Sequence, residues 1–399
     1  MYKRQPLSLA TAQSITGQEM IDRARALAPR FAERAEAAEE ARRIPPQSIK
    51  EMLDAGLARI LLPKKIGGYG LGFETWFDVM REISKADASH GWCAGLVTHH
   101  GHVVGQYPER AQKAVWADGL DVPLAASFAP NTKAVPVEGG CRVSGKGSPF
   151  ASGVDHSSWV IVGGMAHDGG EPEWKFFLIA PGDYTVRDTW FTTGMRGTGS
   201  KTIVVDNVFV PESRALRLTD LRDGTCPGGA IHSDVIFHTP FFYYAEISFV
   251  TPMLGAVQGA YELFREWTKT RKTQYGTPIA DKASIQVRMA RAAADIDAAE
   301  LLLRRAVRVT DAPQDLSLIH IFCAQPLSGP RPGVDGVQHG IRRAYSGSDS
   351  GGVSGQARRN ISRPGPVYAI VRAATRSRCR RAGVRWNLLV LSHSRFFDS

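Results

Sequence analysis

The spacing of apolar positions along the chain changes period twice. Met20, Ala24, Leu27 and Phe31 recur every three or four residues with charged residues between them, which predicts a helix over 17–42. Pro29 falls inside that pattern and predicts a kink or two abutting helices. Pro45-Pro46 stops the chain and restarts it, Ile49, Met52 and Leu53 then face one way, and Gly56 suits a helix C-terminus. Further helices are expected over 74–85, with Phe73, Phe77, Met80 and Ile83 on one face, over 87–104, and over 108–117. From 123 to about 211 the period shortens. Runs around Val143, at 159–162, at 176–179 and at 203–210 read as four strands, punctuated by Gly139-Gly140, Gly163-Gly164 and Pro181-Gly182. The helical period then returns. Pro240 opens a long helix reaching about Thr273, and Ile285, Met289, Ala292, Ile296, Ala299, Leu303 and Ala306 mark a second. That stripe suits a core or a subunit interface better than a cofactor site. Two helices alone do not bury it, so a four-helix bundle in an oligomer is implied. Helical residues 1–122, a β region over 123–230 and the start of a helical bundle over 231–316 make an α+β chain. The crevice where strand ends meet helices is the default place for a ligand.

Charge changes the picture only at one end. The 399 residues carry a formal charge of +10, which would suggest an anionic partner if it were spread over the fold. It is not. Residues 317–399 hold 13 Arg, three Asp, no Lys and no Glu, which leaves 36 basic and 36 acidic residues for the remainder. No nucleic-acid partner is inferred. An Arg-rich, Lys-free tail is the codon signature of a GC-rich gene read out of frame. Ser317-Leu318-Ile319-His320-Ile321 and the opening Met1-Tyr2-Lys3-Arg4-Gln5 both resemble translated adapter fragments. The tail is therefore expected not to be native sequence, beginning where further helices of the bundle should follow. The bland alternative is a disordered Gly/Ser/Arg-rich extension.

Candidate chemistry is sparse. Cys93, Cys141, Cys226, Cys323 and Cys379 have no ligand-type spacing, so neither metal nor disulfides are indicated. His99, His100 and His102 lie close together, but adjacent side chains on a helix point apart, and no metal site is assigned. Gly67-Gly68-Tyr69-Gly70-Leu71-Gly72 lacks both the dinucleotide-binding spacing and a preceding strand, and reads as a loop. With no cleavable signal and no run of 18 apolar residues, a cytoplasmic chain with no membrane partner is expected.

Three segments carry a resemblance. Phe150-Ala151-Ser152-Gly153 followed by Asp155-His156, then Gly194-Met195-Arg196-Gly197-Thr198-Gly199-Ser200, then Val208-Phe209-Val210-Pro211-Glu212, resemble the flavin-dependent monooxygenases built on the acyl-CoA dehydrogenase fold, the oxygenase components of two-component phenol hydroxylases. The similarity runs from about residue 15 to about 312. It implies an N-terminal helical domain, a middle β-barrel domain and a C-terminal helical bundle. It also implies a homotetramer, reduced FMN or FAD from a separate flavin reductase, and O2 forming a C4a-hydroperoxide that hydroxylates a small aromatic substrate. His100 takes the place of the family's histidine beside substrate and flavin, with His99 the other choice of register, and it would keep a phenol poised as phenolate. Ser127 and Ser152 match the serines that approach the isoalloxazine, Gly153 lets the backbone come close, and Thr198 and Ser200 are weaker candidates. Trp190-Phe191 would wall the cofactor, while Asp155-His156 more naturally fixes loop geometry. The stretch 271–279 is similar to a connection whose arginine binds the flavin phosphate of a neighbouring subunit, and either Arg271 or Lys272 fills that role here. The family's histidine in the last bundle helix has no counterpart in context, since His339 and His393 fall in the aberrant tail. An acyl-CoA dehydrogenase and a non-catalytic helical scaffold are the alternatives. The first is disfavoured because Ser127-Phe128-Ala129-Pro130-Asn131-Thr132-Lys133 replaces the dehydrogenases' Thr-Glu-Pro segment.

Overall fold

A computed structural model describes residues 15–167 and 170–312. The tail 317–399, with His339 and His393, lies outside the described residues, as does the opening segment.

Helix α1 (Gly17–Ala41) begins with a capping box. The Thr16 hydroxyl accepts from the Glu19 N–H, and the Glu19 carboxylate accepts from the Thr16 N–H. Pro29 neither splits nor ends it. The proline lies on the exposed face, where the carbonyl it leaves unpaired meets water, while Met20, Ala24, Leu27 and Phe31 stay buried along one side. Helices α2 (Pro46–Asp54), α3 (Gly72–Ala86) and α5 (Glu109–Val115) surround α4 (Ala88–Gly105). Sixteen of the 18 residues of α4 are buried, so this helix has no polar face and runs through the interior. Asp87 caps it, accepting from the His90 N–H.

The β region is one seven-stranded sheet in the order β5-β6-β2-β1-β3-β4-β7. Its strands are β1 (Leu124–Val137), β2 (Gly140–Ala151), β3 (Trp159–Ala166), β4 (Glu173–Ile179), β5 (Thr185–Arg187), β6 (Lys201–Pro211) and β7 (Ala215–Arg217). β1 and β3 are parallel, and every other pairing is antiparallel. β4 and β6 stand four places apart in that order yet come into contact. The sheet therefore curls like a barrel around Val143, Val162, Phe177 and Ile203, with β5 and β7 left as its edges. Ala126, Ile161, Phe176 and Leu178 alternate with these inner residues and pack against the helices. Both faces of the central strands are buried, which is why 159–162 reads as an unbroken apolar run.

Strand β1 was not legible as a strand. It carries small residues, Pro130 and Pro136, and it is irregular: its pairing with β3 shifts between Ser127 and Thr132. Gly163 makes that bulge possible, since a Cβ there would stand 1.9 Å from the Phe128 carbonyl.

After α6 (Leu218–Asp223), the long helices α7 (Phe241–Thr270) and α8 (Ala283–Asp311) pack against α3. Asp311 at the end of α8 accepts from the Phe73 and Glu74 N–H groups, both at 2.8 Å. It thus caps α3, which has no side-chain cap of its own.

Candidate active site

A cavity of about 540 Å3 opens where α4, the bulge of β1, the end of β2, the loop 190–200 and α7 converge. Its α4 wall is Ala88, Trp92, Leu96 and His100, one residue every four, which is a single ridge along a helix. The facing α7 wall is Phe249, Pro252, Met253 and Ala256, again one helical face. The β1 bulge turns Ser127 and Phe128 toward the same space, and the end of β2 and the turn after it contribute Phe150 and Ser152.

His100, Ser127, Ser152 and Thr198, expected from widely separated segments, all line this cavity. The register of α4 selects His100 over His99, whose ring instead packs among Phe241, Tyr244 and His102. His100 Nδ1 lies 2.9 Å from the Leu124 carbonyl. A carbonyl only accepts, so Nδ1 carries the proton and Nε2 keeps its lone pair, with no protein partner. Burial pushes the His100 imidazolium down to about 4, partly opposed by the Leu124 carbonyl, so the ring is neutral at physiological pH.

The hydroxyls are connected. Trp92 Nε1–H donates to Ser152 Oγ (3.0 Å), Ser152 and Ser200 share a 2.7 Å bond, and Ser200 and Thr198 share one of 2.6 Å. Thr198 in turn donates to the Met195 carbonyl (2.8 Å). Ser127 donates to the Pro149 carbonyl (2.7 Å). Two non-glycine residues on this wall sit in the left-handed region, Phe150 at φ +65° and Met195 at φ +54°. Strain of that kind gathers at sites whose geometry is held by their surroundings.

Other expected residues fall elsewhere. Gly153 does not line the cavity. Its φ of +71° and its N–H bond to the Thr198 carbonyl (2.8 Å) tie the end of β2 to the loop 194–200, so it holds the site together without reaching the ligand space itself. Trp190 walls the cavity, but Phe191 turns out to solvent, 72% exposed, beneath the Arg42 guanidinium that also pairs with Asp188. Asp155 pairs with Lys201 (2.7 Å) and His156 donates to the Ile44 carbonyl (2.7 Å), so both fix loops. Arg271 lies beyond the C-terminal end of α7, against Trp267, and Lys272 bridges to Pro278. With 14 residues separating Val257 on the cavity wall from Arg271, that is roughly 20 Å of helix. Neither cation reaches this chain's own cavity. The α7 wall had no signal in the sequence beyond an apolar helix, and Trp92 was not singled out there.

A second polar constellation occupies the other end of α4. Asp87 Oδ2 is 2.6 Å from His90 Nδ1, and His90 Nε2 is 3.1 Å from Ser48 Oγ. The residue types are those of a hydrolytic triad. Ser48 and His90 have no exposed surface, and Phe31 stacks on the imidazole at 4.7 Å, so no substrate reaches them. Among the described residues no group of three or more metal-ligating side chains is assembled, and no helix is long and apolar enough to cross a membrane.

A flat aromatic ring system with one polar edge fits the cavity, which offers aromatic and aliphatic walls with a narrow strip of lone pairs from His100, Ser127 and Ser152. The family models for the acyl-CoA dehydrogenase N-terminal domain and C-terminal domain match residues 16–120 and 247–317. The chain is 38% identical over 294 residues to a pigment production hydroxylase of Rhodococcus sp. (strain ATCC 21145), covering 72% of this chain and 75% of the relative. It is 34% identical over 306 residues to the oxygenase component of an FADH(2)-dependent resorcinol hydroxylase of Rhizobium sp. (strain MTP-10005), covering 74% and 75%. The structure of a 3-HSA hydroxylase from Rhodococcus sp. RHA1 superposes with a TM-score of 0.69 at 33% identity, over 73% of this chain and 75% of that one. With a histidine and two serines gathered on a flavin-sized cavity, and relatives of this kind, the chain belongs to the oxygenase components of the flavin-dependent monooxygenases, within the acyl-CoA dehydrogenase superfamily.

Proposed function

We propose that the protein hydroxylates a phenolic substrate with O2 and a reduced flavin, FMN or FAD, delivered by a separate reductase. The observation that carries this reading is the meeting of His100, Ser127 and Ser152 on one otherwise apolar cavity. When bound there, a reduced flavin would supply the two electrons that let one oxygen atom enter the aromatic ring while the other leaves as water.

The chain's own groups have distinct tasks. The apolar walls exclude water, which would otherwise divert the reaction toward hydrogen peroxide. Ser152 and Ser127 lie where the polar edge of the flavin ring would be held, and His100 lies where a phenolic hydroxyl would be oriented. His100 Nε2 accepts the phenol O–H and raises electron density at the adjacent ring carbon. With its imidazolium at about 4, taking the proton outright from a phenol near pH 10 would cost about 8 kcal/mol. A neutral His100 thus favours a hydrogen-bonded phenol over the free phenolate expected from the resemblance. Val287, Leu301 and Leu302 on α8 and Leu263 on α7 are exposed apolar residues that favour a tetrameric assembly, in which Arg271 or Lys272 would serve a neighbour's flavin.

The test is turnover with a reduced flavin, O2 and a series of phenols, with hydroxylated product and hydrogen peroxide both quantified. Product formation that falls at least tenfold in His100→Ala supports the reading. Peroxide alone with every phenol, unchanged by the substitution, contradicts it.

A further inference from the structure

The polar atoms around the cavity have a direction. Thr198 has a single hydroxyl proton, and it goes to the Met195 carbonyl, which can only accept. The contact between Thr198 and Ser200 must then use the Ser200 proton, and the contact between Ser200 and Ser152 must use the Ser152 proton. Ser152 in addition accepts from Trp92. One lone pair of Ser152 is left for the cavity, and no proton.

The same holds around the rest of the wall. Ser127 donates to the Pro149 carbonyl, His100 Nδ1–H to the Leu124 carbonyl and Thr192 to the Gly194 carbonyl. Trp190 Nε1–H donates to the Met195 carbonyl, at 3.0 Å. All eight polar side chains that line the cavity have their donor protons engaged inside the protein.

We infer that the side chains of this wall present acceptors only, set by a one-way hydroxyl chain ending on the Met195 carbonyl, and that Ser200 is the positioning residue through which Ser152 favours a reduced flavin over an oxidised one. The inference rests on the reading of the cavity as a flavin site. The isoalloxazine N5 is an acceptor when oxidised and an N–H donor when reduced. Opposite Ser152, reduced N5–H completes a hydrogen bond, whereas oxidised N5 sets two lone pairs against each other in a buried place. Such a mismatch costs about tenfold to a hundredfold in affinity. On this account reoxidised flavin is released because its edge no longer matches the wall, and Ser200 acts without touching the ring.

The experiment is anaerobic equilibrium titration of the full chain with oxidised and with dithionite-reduced FMN and FAD, followed by tryptophan fluorescence. Wild-type protein is expected to bind the reduced form roughly tenfold to a hundredfold more tightly. Ser200→Ala frees the Ser152 proton to turn to oxidised N5, and should narrow the ratio of the two Kd values about tenfold, chiefly by tightening the oxidised form. Thr198→Val removes the carbonyl-bound end of the chain and should narrow it likewise. Equal binding of both flavins by wild type, or an unchanged ratio in Ser200→Ala and Thr198→Val, overturns the inference and leaves the flavin site standing. Failure of wild type to bind any flavin overturns the reading beneath it.

Discussion

The two ends of α4 carry nearly the same residue types and do different things. At the N-terminal end Asp87, His90 and Ser48 form a hydrogen-bonded row that matches a hydrolytic triad in distance and order, yet the row is sealed beneath Phe31. At the other end His100 keeps one nitrogen tied to the Leu124 carbonyl and presents the other to a cavity of about 540 Å3 with Ser127 and Ser152 beside it. In the first region the His90 ring has protein partners at both nitrogens, and the result is a rigid helix start. In the second, lone pairs are left over, and the walls around them are apolar. Chemistry resides where partners are lacking and there is space, not where the familiar residues meet.

The contrast breaks most visibly at Asp87. Asp87→Ala removes the acceptor for both the His90 N–H and its ring, leaving two buried donors unmatched, and should cost about 4 kcal/mol of stability. A urea unfolding series measures this, and the product-to-peroxide ratio per folded molecule should be unaltered. A changed ratio with intact stability would mean the buried row belongs to the chemistry.

Acid sharpens the comparison from the other end. His99, His100 and His102 are held neutral by burial, the last two down to about 4 against an ordinary 6.5. The unfolded chain takes up protons as pH falls through 6.5 while the folded chain does not, so stability is lost from there toward about pH 4. Each of His100 and His102 should contribute about 3 kcal/mol across that window. His100→Gln should remove its share of the slope in a series of thermal melts between pH 7 and pH 4.5, and an unaltered slope would show that the ring is not held neutral.

Smaller effects fall on the reaction. His100→Ala should lower hydroxylated product relative to peroxide by about a hundredfold, because the phenol loses its acceptor. Ser152→Ala keeps the apolar walls and should lower the same ratio only about tenfold. If Ser152→Ala proved the more damaging of the two, the flavin edge rather than the phenol would be the weak point of the site.

The helices were legible in the sequence because their apolar stripes are long and strongly periodic, and Phe73, Phe77, Met80 and Ile83 are all fully buried as their spacing implies. Three strands were not. β1 is made of small residues with two prolines and a bulge, and β5 and β7 have three residues each, too few for a period. At the site, His100, Ser127 and Ser152 were identified through a family resemblance, and the register of α4 decided between His99 and His100. The α7 wall and the direction of the hydroxyl chain were out of reach. The first depends on which face of an apolar helix turns inward. The second depends on a single carbonyl, that of Met195, held in place by a left-handed backbone that no sequence pattern announces.

The most direct test is a crystal structure of the protein with reduced FMN or FAD. The isoalloxazine is expected between the α4 and α7 walls, with N5 within hydrogen-bonding distance of Ser152 Oγ and open space beside His100 Nε2. A ring bound anywhere else, or one in this cavity that leaves Ser152 and His100 untouched, would contradict the account.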